Sequence, residues 1–183
     1  MTGKKTKWLD PTEIDAGLND ANILARRDGI SIAVAGGVAL QYYGSDRLTK
    51  DLDFLADRIP AVEDAASLSF GGVSFISASG VPTDFIVRDD DYAELYTDAL
   101  LFARFVPEVG LPIVTAEHML ALKLGASRTK DLADMEFLVL DADLDYPRAR
   151  AIVKKFMGTY AARELDYYKD SVAFERARGS KKP

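Results

Sequence analysis

One segment, residues 30–55, constrains the fold more than any other part of the chain. A short apolar, β-branched run at 30–35 ends in Gly36-Gly37, a short helical pattern follows and closes at Gly44, and a second apolar run comes next. This order predicts a strand, a tight turn, a helix and another strand. Because glycine lacks a Cβ atom, the Gly-Gly turn lets backbone N–H groups approach a bound phosphate closely.

The second strand of this segment carries two acidic residues. Asp51 and Asp53 are two positions apart, and thirteen residues separate Gly37 from Asp51. On a strand, side chains two positions apart project from the same face, so the apolar Leu52 and Phe54 face the other way, into the core. Two carboxylates held together repel each other unless a cation lies between them, and Mg²⁺ prefers such hard oxygen ligands. The segment therefore predicts a magnesium-nucleotide site.

The rest of the chain has strand patterns early and helical patterns late. The early elements predicted are a helix at 11–28 with Asp10 as N-cap, a helix at 61–68, a hairpin of 73–78 and 83–88, and strands at 99–106 and 111–114. The later ones are a helix capped by Thr115, a helix capped by Thr129, and helices at 147–157 and 160–177. This order predicts an α+β fold with a helical C-terminal part.

Composition narrows the class of protein. The 183 residues are 48% hydrophobic, which is enough for a sizeable core, and the chain has no cysteine for disulfides or thiolate metal sites. No apolar run approaches the roughly 18–20 residues that cross a bilayer, and no apolar signal segment is recognisable, so we expect a cytoplasmic protein with no membrane partner. The net charge of −6 argues against a protein that coats nucleic acid, although a local basic patch permits brief contact with RNA.

The central segment resembles a known family. It is similar to the signature of the DNA polymerase β-like nucleotidyltransferase superfamily and, more narrowly, to that of the AbiEii-type prokaryotic nucleotidyltransferases, many of which are toxins of toxin–antitoxin pairs. The matching positions are Gly36, Gly37, Ala39, Gly44, Arg47, Thr49, Asp51 and Asp53. The resemblance implies the nucleotidyltransferase fold, a mixed twisted β-sheet flanked by helices. It also implies a nucleotidyltransferase domain at 1–140 and a C-terminal helical extension at 141–183 packed on it.

The same resemblance implies a catalytic and metal-binding triad. Asp51 and Asp53 would share two Mg²⁺ ions, and a third carboxylate would come from a later strand, for which Asp84 is the candidate. Thr83 departs from the family pattern, which has an apolar residue at that position. The acidic run Asp89–Asp91 competes with Asp84 for this role, although three successive acids are typical of a solvated turn or a helix start.

Four further residues are expected to bind the nucleotide near this triad. Backbone groups of Gly36 and Gly37 would hold the β and γ phosphates. Arg47 and Thr49 would contact the nucleotide or brace the loop that carries the acids. Pairing of Arg47 with a nearby carboxylate is an equal alternative.

A separate candidate lies on the helix that follows Thr115. Lys123 has its stem along a partly apolar face, with its ammonium free to reach a pocket. By resemblance it would contact phosphate, with Asp131 orienting it or a neighbouring helix. The alternative is a surface lysine followed by an ordinary acid at the start of the next helix. His118, the only histidine, is expected to be structural.

The implied reaction is transfer of a nucleoside monophosphate from a nucleoside triphosphate to a hydroxyl. Two Mg²⁺ ions would bridge the carboxylates and the triphosphate, and Asp84 would hold a metal or accept the proton of the acceptor. The resemblance favours tRNA or protein as acceptor and a cognate antitoxin as partner. One alternative is a non-catalytic module that binds a nucleotide or a protein. Another is an adenylyltransferase of small molecules of the aminoglycoside type.

Overall fold

The structure is a computed structural model and describes residues 7–126 and 128–179. The described residues fall into two compact units, the first ending at Val114 and the second beginning at Thr115. Within the described ranges, no helix combines the length and the apolar character needed to cross a membrane. The predicted domain boundary between residues 140 and 141 stays a prediction.

The first unit is organised around a mixed sheet. Among its described residues seven strands follow one another along the chain: β1 Ile32–Val34, β2 Leu52–Ala56, β3 Ala66–Ser67, β4 Val73–Ile76, β5 Pro82–Ile86, β6 Arg104–Val106 and β7 Leu111–Ile113. Their spatial order is β3-β4-β5-β2-β1-β7-β6. The pairs β2–β5 and β1–β7 are parallel and the other neighbours are antiparallel.

Helices accompany this sheet within the first unit, and helices make up most of the second unit. The helices of the first unit are α1 Pro11–Asp28, α2 Gly36–Tyr42 and α3 Ala93–Leu101; those of the second are α4 Ala116–Ala126, α5 Thr129–Leu140 and α6 Tyr146–Gly179. Gly158 has non-helical dihedral angles and divides α6 into two helical segments, as the sequence predicted. The predicted α+β class, with a mixed sheet, flanking helices and a helical C-terminal part, is confirmed.

Helix α1 begins where the sequence predicted. Asp10 accepts the N–H of Glu13 at 3.0 Å, and the Glu13 carboxylate accepts the N–H of Asp10 at 2.9 Å, so each satisfies a donor of the first turn. The helix packs on one face of the sheet, where Gly17 lies so close to Leu52 that a Cβ atom would be only 2.5 Å from its Cδ1. This contact fixes α1 on the face of β2 from which Leu52 projects.

Aromatic rings fill the core on that face. The ring centroids of Phe54 and Phe85 are 5.3 Å apart, and those of Phe75 and Phe85 are 5.5 Å apart. Phe54 and Phe85 are fully buried. Because side chains alternate along a strand, the residues before and after these rings project from the opposite face of the sheet.

The predicted helix at 61–68 is wrong. Its residues form turns, and Ala66 and Ser67 make the short edge strand β3 beside Val73 and Ser74. Asp64 has φ of 58°, in the left-handed region, which ends any helix there. The segment has few large apolar residues, so a helix would bury little surface in return for ordering its backbone.

The predicted strand at 99–106 is wrong in its first half, and the predicted cap of α5 is wrong by one residue. Leu95 and Ala99 are both buried and lie four residues apart, which is one helical turn, so α3 continues to Leu101. Thr129 is the first residue of α5, and the N–H of Arg128 before it donates to the Asp131 carboxylate at 3.3 Å.

Candidate functional site

The pairing of β2 with β5 brings two acids from distant segments together. The strands are parallel, and Asp53 is the register partner of Asp84. Neighbouring strands lie about 4.8 Å apart, and register partners project from the same face. The two carboxylates therefore lie side by side on the face opposite the rings of Phe54 and Phe85.

Asp51 stands just before β2, two positions ahead of Asp53, and is held by a threonine. The hydroxyl of Thr49 is 2.9 Å from the carbonyl oxygen of Asp51 and 3.3 Å from its carboxylate Oδ1. Thr49 itself is buried, with 3% of its surface exposed. The hydroxyl thus fixes the loop that presents Asp51 to the same edge of the sheet.

The residues Asp51, Asp53 and Asp84 are called the acidic edge from here on. The two glycines, Gly36 and Gly37, lie against it. Helix α2 begins at Gly36, which has φ of 57°, and a Cβ atom there would overlap the carboxylate of Asp53. A Cβ atom on Gly37 would lie 2.7 Å from Oγ1 of Thr49. The N–H of Ala35 donates to the carbonyl oxygen of Asp53 at 2.8 Å, which holds β1 to β2 at this point. Glycine is therefore required twice, so that the turn can approach the acidic loop.

Thr83 fits its position although the family pattern has an apolar residue there. It is 1% exposed, on the core face, and its hydroxyl donates to the carbonyl oxygen of Val81 at 3.1 Å. The polar group is therefore satisfied inside the core. Because Thr83 faces inward, Asp84 faces outward beside Asp53.

The competing acidic run lies elsewhere. Asp89, Asp90 and Asp91 are exposed in the loop before α3. Asp90 forms an ion pair with Arg88 and accepts the N–H of Tyr92 at 3.1 Å. Asp90 therefore stabilises the start of α3. Asp84, and no residue of this acidic run, is in register with Asp53.

The loop from α2 to β2 is tied down by backbone groups of Arg47. Its N–H donates to the Ser45 hydroxyl at 3.2 Å, and its carbonyl oxygen accepts from the amide of Gln41 at 2.7 Å. These bonds fix the chain between α2 and Asp51. The predicted contact between Arg47 and a nucleotide stays a prediction.

The donor set of this edge suits a magnesium ion. The carboxylates of Asp51, Asp53 and Asp84 supply the hard oxygen ligands that Mg²⁺ prefers, and two of them share a register position. Their side chains are not gathered into a ready-made cage: across residues 7–126 and 128–179, no group of three or more acidic, histidine or cysteine side chains is placed to hold a metal ion. The three acids are suitable ligands for Mg²⁺, and Asp53 and Asp84 lie on neighbouring strands. Their carboxylates would have to move closer together to bind one ion.

Ser74 is a residue of this surface that the sequence did not reveal. It lies on β4 as the register partner of Asp84, so Ser74, Asp84 and Asp53 form a polar row across three strands. Only the pairing of the strands places this hydroxyl there. Local periodicity predicted the hairpin of β4 and β5 without indicating which residue would lie beside the acid.

In the second unit Lys123 has two carboxylates as partners. Its ammonium lies 3.0 Å from Oδ1 of Asp131 and 2.6 Å from Oδ2 of Asp134, and Nε of Arg128 lies 2.7 Å from Oδ2 of Asp131. Lys123 and both acids are buried. Burial by itself raises the pKa of Asp131, but the hydrogen bond from Arg128 and the charge of Lys123 bring that pKa below its ordinary value. The predicted contact of Lys123 with phosphate stays a prediction.

No family model matches the chain, and no curated protein matches it. Its structure is similar to the crystal structure of an antigenic nucleotidyltransferase-like protein from Paracoccidioides brasiliensis. The TM-score is 0.48 and the sequence identity 16%, over 87% of this chain and 95% of that chain. At that TM-score the likeness is slight, and the roles of the acidic residues have to be argued from their own geometry.

Proposed function

We propose that this chain is a magnesium-dependent nucleotidyltransferase that moves a nucleoside monophosphate from a nucleoside triphosphate to a hydroxyl. One observation supports this function most directly. Asp53 and Asp84 are register partners on adjacent parallel strands, with Asp51 two positions ahead and Gly36 in contact with the Asp53 carboxylate. An acidic edge beside a Gly-Gly turn is suited to a metal-bound triphosphate.

Each residue of this edge has a proposed part in binding. Asp51, Asp53 and Asp84 hold two Mg²⁺ ions. When bound, these ions neutralise charge on the triphosphate and stabilise the attacking and leaving oxygens. Gly36 and Gly37 offer backbone N–H groups to the phosphates, because no side chain stands between the turn and the acidic loop. Arg47 and Thr49 brace the loop that carries Asp51 or contact the nucleotide.

The chemical step needs one base and good alignment. The acceptor oxygen attacks the α-phosphorus, the bond to the β-phosphate oxygen breaks, and pyrophosphate leaves. Asp84 accepts the proton of the acceptor hydroxyl, since it lies beside Asp53 at the outer face of β5. Thr49 keeps the loop of Asp51 in place by its hydroxyl bonds, so this part of the site is ordered before the substrate arrives, and the three carboxylates converge when it binds.

We further propose RNA, with tRNA as the expected kind, as the acceptor, and a protein hydroxyl as the alternative. Helix α6 has eight basic and four acidic residues, a net charge of +4 in a chain whose net charge is −6. Such a basic segment attracts a phosphate backbone. Membership of the AbiEii-type group, action in the cytoplasm as a toxin with a cognate antitoxin, and a functional domain at 1–140 with an extension at 141–183 belong to the same proposal.

A non-catalytic module that binds a nucleotide or a protein is the second candidate. It is favoured by the lack, in the described part of the chain, of three acidic side chains already placed around a common metal position. An enzyme would have to gather Asp51, Asp53 and Asp84 when the metal-nucleotide arrives. A binding module has no need of that rearrangement.

Transfer of label separates these functions. The purified chain is incubated with each α-³²P-labelled nucleoside triphosphate and Mg²⁺, with RNA, with protein extract or with an aminoglycoside. We expect label in one acceptor class, lost by at least about 1,000-fold in Asp53→Asn and Asp84→Asn. Asp91→Asn is the matched control, since Asp91 is exposed before α3. Binding of the nucleotide by folded protein without transfer to any acceptor would favour the module.

A further inference from the structure

A groove lies on the face of β5 opposite to Asp84. It has a volume of about 550 Å³ and runs between α1, β4 and the segment 61–63. Phe75 and Thr83 line it from the sheet, and Ala21 and Leu24 line it from α1. Sites for small molecules have volumes of roughly 300–1,000 Å³ and walls that are mostly apolar, so the groove has the size and lining of such a site.

Large apolar side chains stand at the mouth of this groove in contact with water. Ile23 is 59% exposed and lines it together with Val62 and Leu24. A single exposed isoleucine needs no explanation, but one that continues the apolar wall of a concave surface favours a ligand with an apolar body.

The fixed charge at the groove is negative. Oδ2 of Asp20 accepts the hydroxyl of Ser77 at 2.8 Å and the N–H of Ser79 at 2.7 Å. Burial raises the pKa of Asp20, and the hydrogen bonds from Ser79 and Ser77 lower it to a final value below the ordinary one, so the group is an anion at neutral pH. Both bonds fall on Oδ2, so Oδ1 is the oxygen that can accept from a ligand.

The positive charge at the same rim is already neutralised. Nε of Arg27 lies 2.6 Å from Oδ1 of Asp28, and its terminal nitrogen lies 3.0 Å from Oδ2. The same nitrogen donates to the carbonyl oxygen of Ala61 at 2.6 Å. Asp20 and the exposed Glu63 then set the sign of the charge that a ligand meets.

We propose that this groove binds a small primary amine with an apolar, ring-sized body, its ammonium against Asp20 and its body against Phe75, Leu24 and Ile23. The site is separate from the acidic edge and does not depend on the proposed nucleotidyl transfer. It touches the same strand, because Thr83 lines the groove and Asp84 follows it on the other face.

Three probes of the same size test the charge preference: 2-phenylethylamine, 2-phenylethanol and 3-phenylpropionate. Amide chemical shifts of ¹⁵N-labelled protein are followed during each titration. We expect saturable shifts at Ala21, Leu24 and Thr83, with the amine binding roughly tenfold more tightly than the alcohol and the acid binding most weakly. No shift at these residues with any probe at millimolar concentration, or equal affinity for the acid and the amine, would overturn the site.

Two variants locate the contacts. Asp20→Asn retains an oxygen acceptor for Ser77 and Ser79 but removes the negative charge. The variant should therefore bind the amine no more tightly than the alcohol, and its affinity for the alcohol should equal that of the original chain. Ala78→Trp fills the mouth from an exposed turn position, so all three probes should lose binding. Ala173→Trp, on an exposed position of α6, is the matched control and should bind as the original chain does. Unchanged amine binding in folded Ala78→Trp would overturn the location.

Discussion

The acidic edge and the helical cluster, which consists of Lys123, Arg128, Asp131 and Asp134, both contain aspartates, but the partners of these aspartates differ. Asp131 receives bonds from Lys123 and Arg128, both cationic and both within its own unit. Asp51 receives a neutral hydroxyl from Thr49, and a glycine lies against Asp53. The first arrangement is complete without a ligand. The second brings acids together beside the Gly36-Gly37 turn, which suits the cation of the proposed function.

The difference predicts where stability and activity lie. Removing a cation from a buried ion cluster leaves uncompensated charge in the interior, which is strongly destabilising. Removing the charge of a carboxylate that lies beside another carboxylate lessens repulsion between them, so little stability should be lost. Variants in the two regions should therefore separate folding from function.

The largest effect on stability is expected for Lys123→Met. The change leaves the carboxylates of Asp131 and Asp134 buried without their ammonium, so the free energy of unfolding should fall by about 3–5 kcal/mol. Asp53→Asn should change it by less than about 1 kcal/mol. Urea denaturation measures both, with Lys154→Met on the exposed face of α6 as control. Equal losses for Lys123→Met and Asp53→Asn would remove the distinction between the two regions.

A smaller effect on stability and a large one on nucleotide binding are expected for Gly36→Ala. The left-handed φ of 57° costs an alanine about 1–2 kcal/mol, and its Cβ displaces the Asp53 carboxylate. Gly29→Ala is a matched control, because Gly29 has φ of 63° and nothing within 4 Å of its Cβ position. Gly36→Ala should lose more stability than Gly29→Ala, because Asp53 has to move, and only Gly36→Ala should lose affinity for Mg²⁺-nucleotide in calorimetric titration.

If Gly29→Ala weakened nucleotide binding as much as Gly36→Ala, the backbone conformation alone would explain the loss. The overlap with Asp53 would then have no functional meaning. If neither variant changed binding, the turn would not belong to the nucleotide site.

The smallest effect is expected in the pH dependence of the free energy of unfolding, to which the helical cluster contributes through Asp131. The folded pKa of Asp131 lies below the ordinary value of about 3.9, so its contribution to stability is full above that value and is lost as pH falls through the folded pKa. Asp131→Asn should therefore flatten the fall in unfolding free energy below about pH 4. Asp91→Asn, at an exposed position, is the control; a slope that Asp131→Asn leaves unchanged would contradict the prediction.

Local signals in the sequence were sufficient for much of the first unit. Asp10 and Pro11 located the start of α1, because capping and the fixed φ of proline depend on neighbouring residues. Alternation of apolar and polar residues located β4 and β5 and put Leu52 and Phe54 on the core face. The prediction of a helix at 61–68 was wrong because Asp64 adopts the left-handed conformation, which a residue other than glycine does not signal in the sequence.

Contacts that depend on how strands and helices pair in the fold could not be predicted from the sequence. Nothing near Asp84 indicates that β5 lies parallel to β2 in the register that joins it to Asp53, because register follows from the packing of the whole sheet. The partners of Lys123 were half foreseen: Asp131 was named as an acid that orients it, while Asp134 was missed. Their spacing on α5 permits one lysine to reach both, but only tertiary packing brings α4 alongside.

The parallel pairing of β2 with β5 also governs when the acidic edge comes into existence. Strands β4 and β5 form a hairpin between neighbouring segments, whereas β2 and β5 have two strands and their connections between them in the chain. Closing that long loop costs entropy that only the completed sheet returns, so contacts of this kind form late. A ribosome-bound or partly folded chain can then contain a finished hairpin and still lack the juxtaposition of Asp53 and Asp84. Nascent chains would acquire this pair of neighbouring acids only as the central sheet closes.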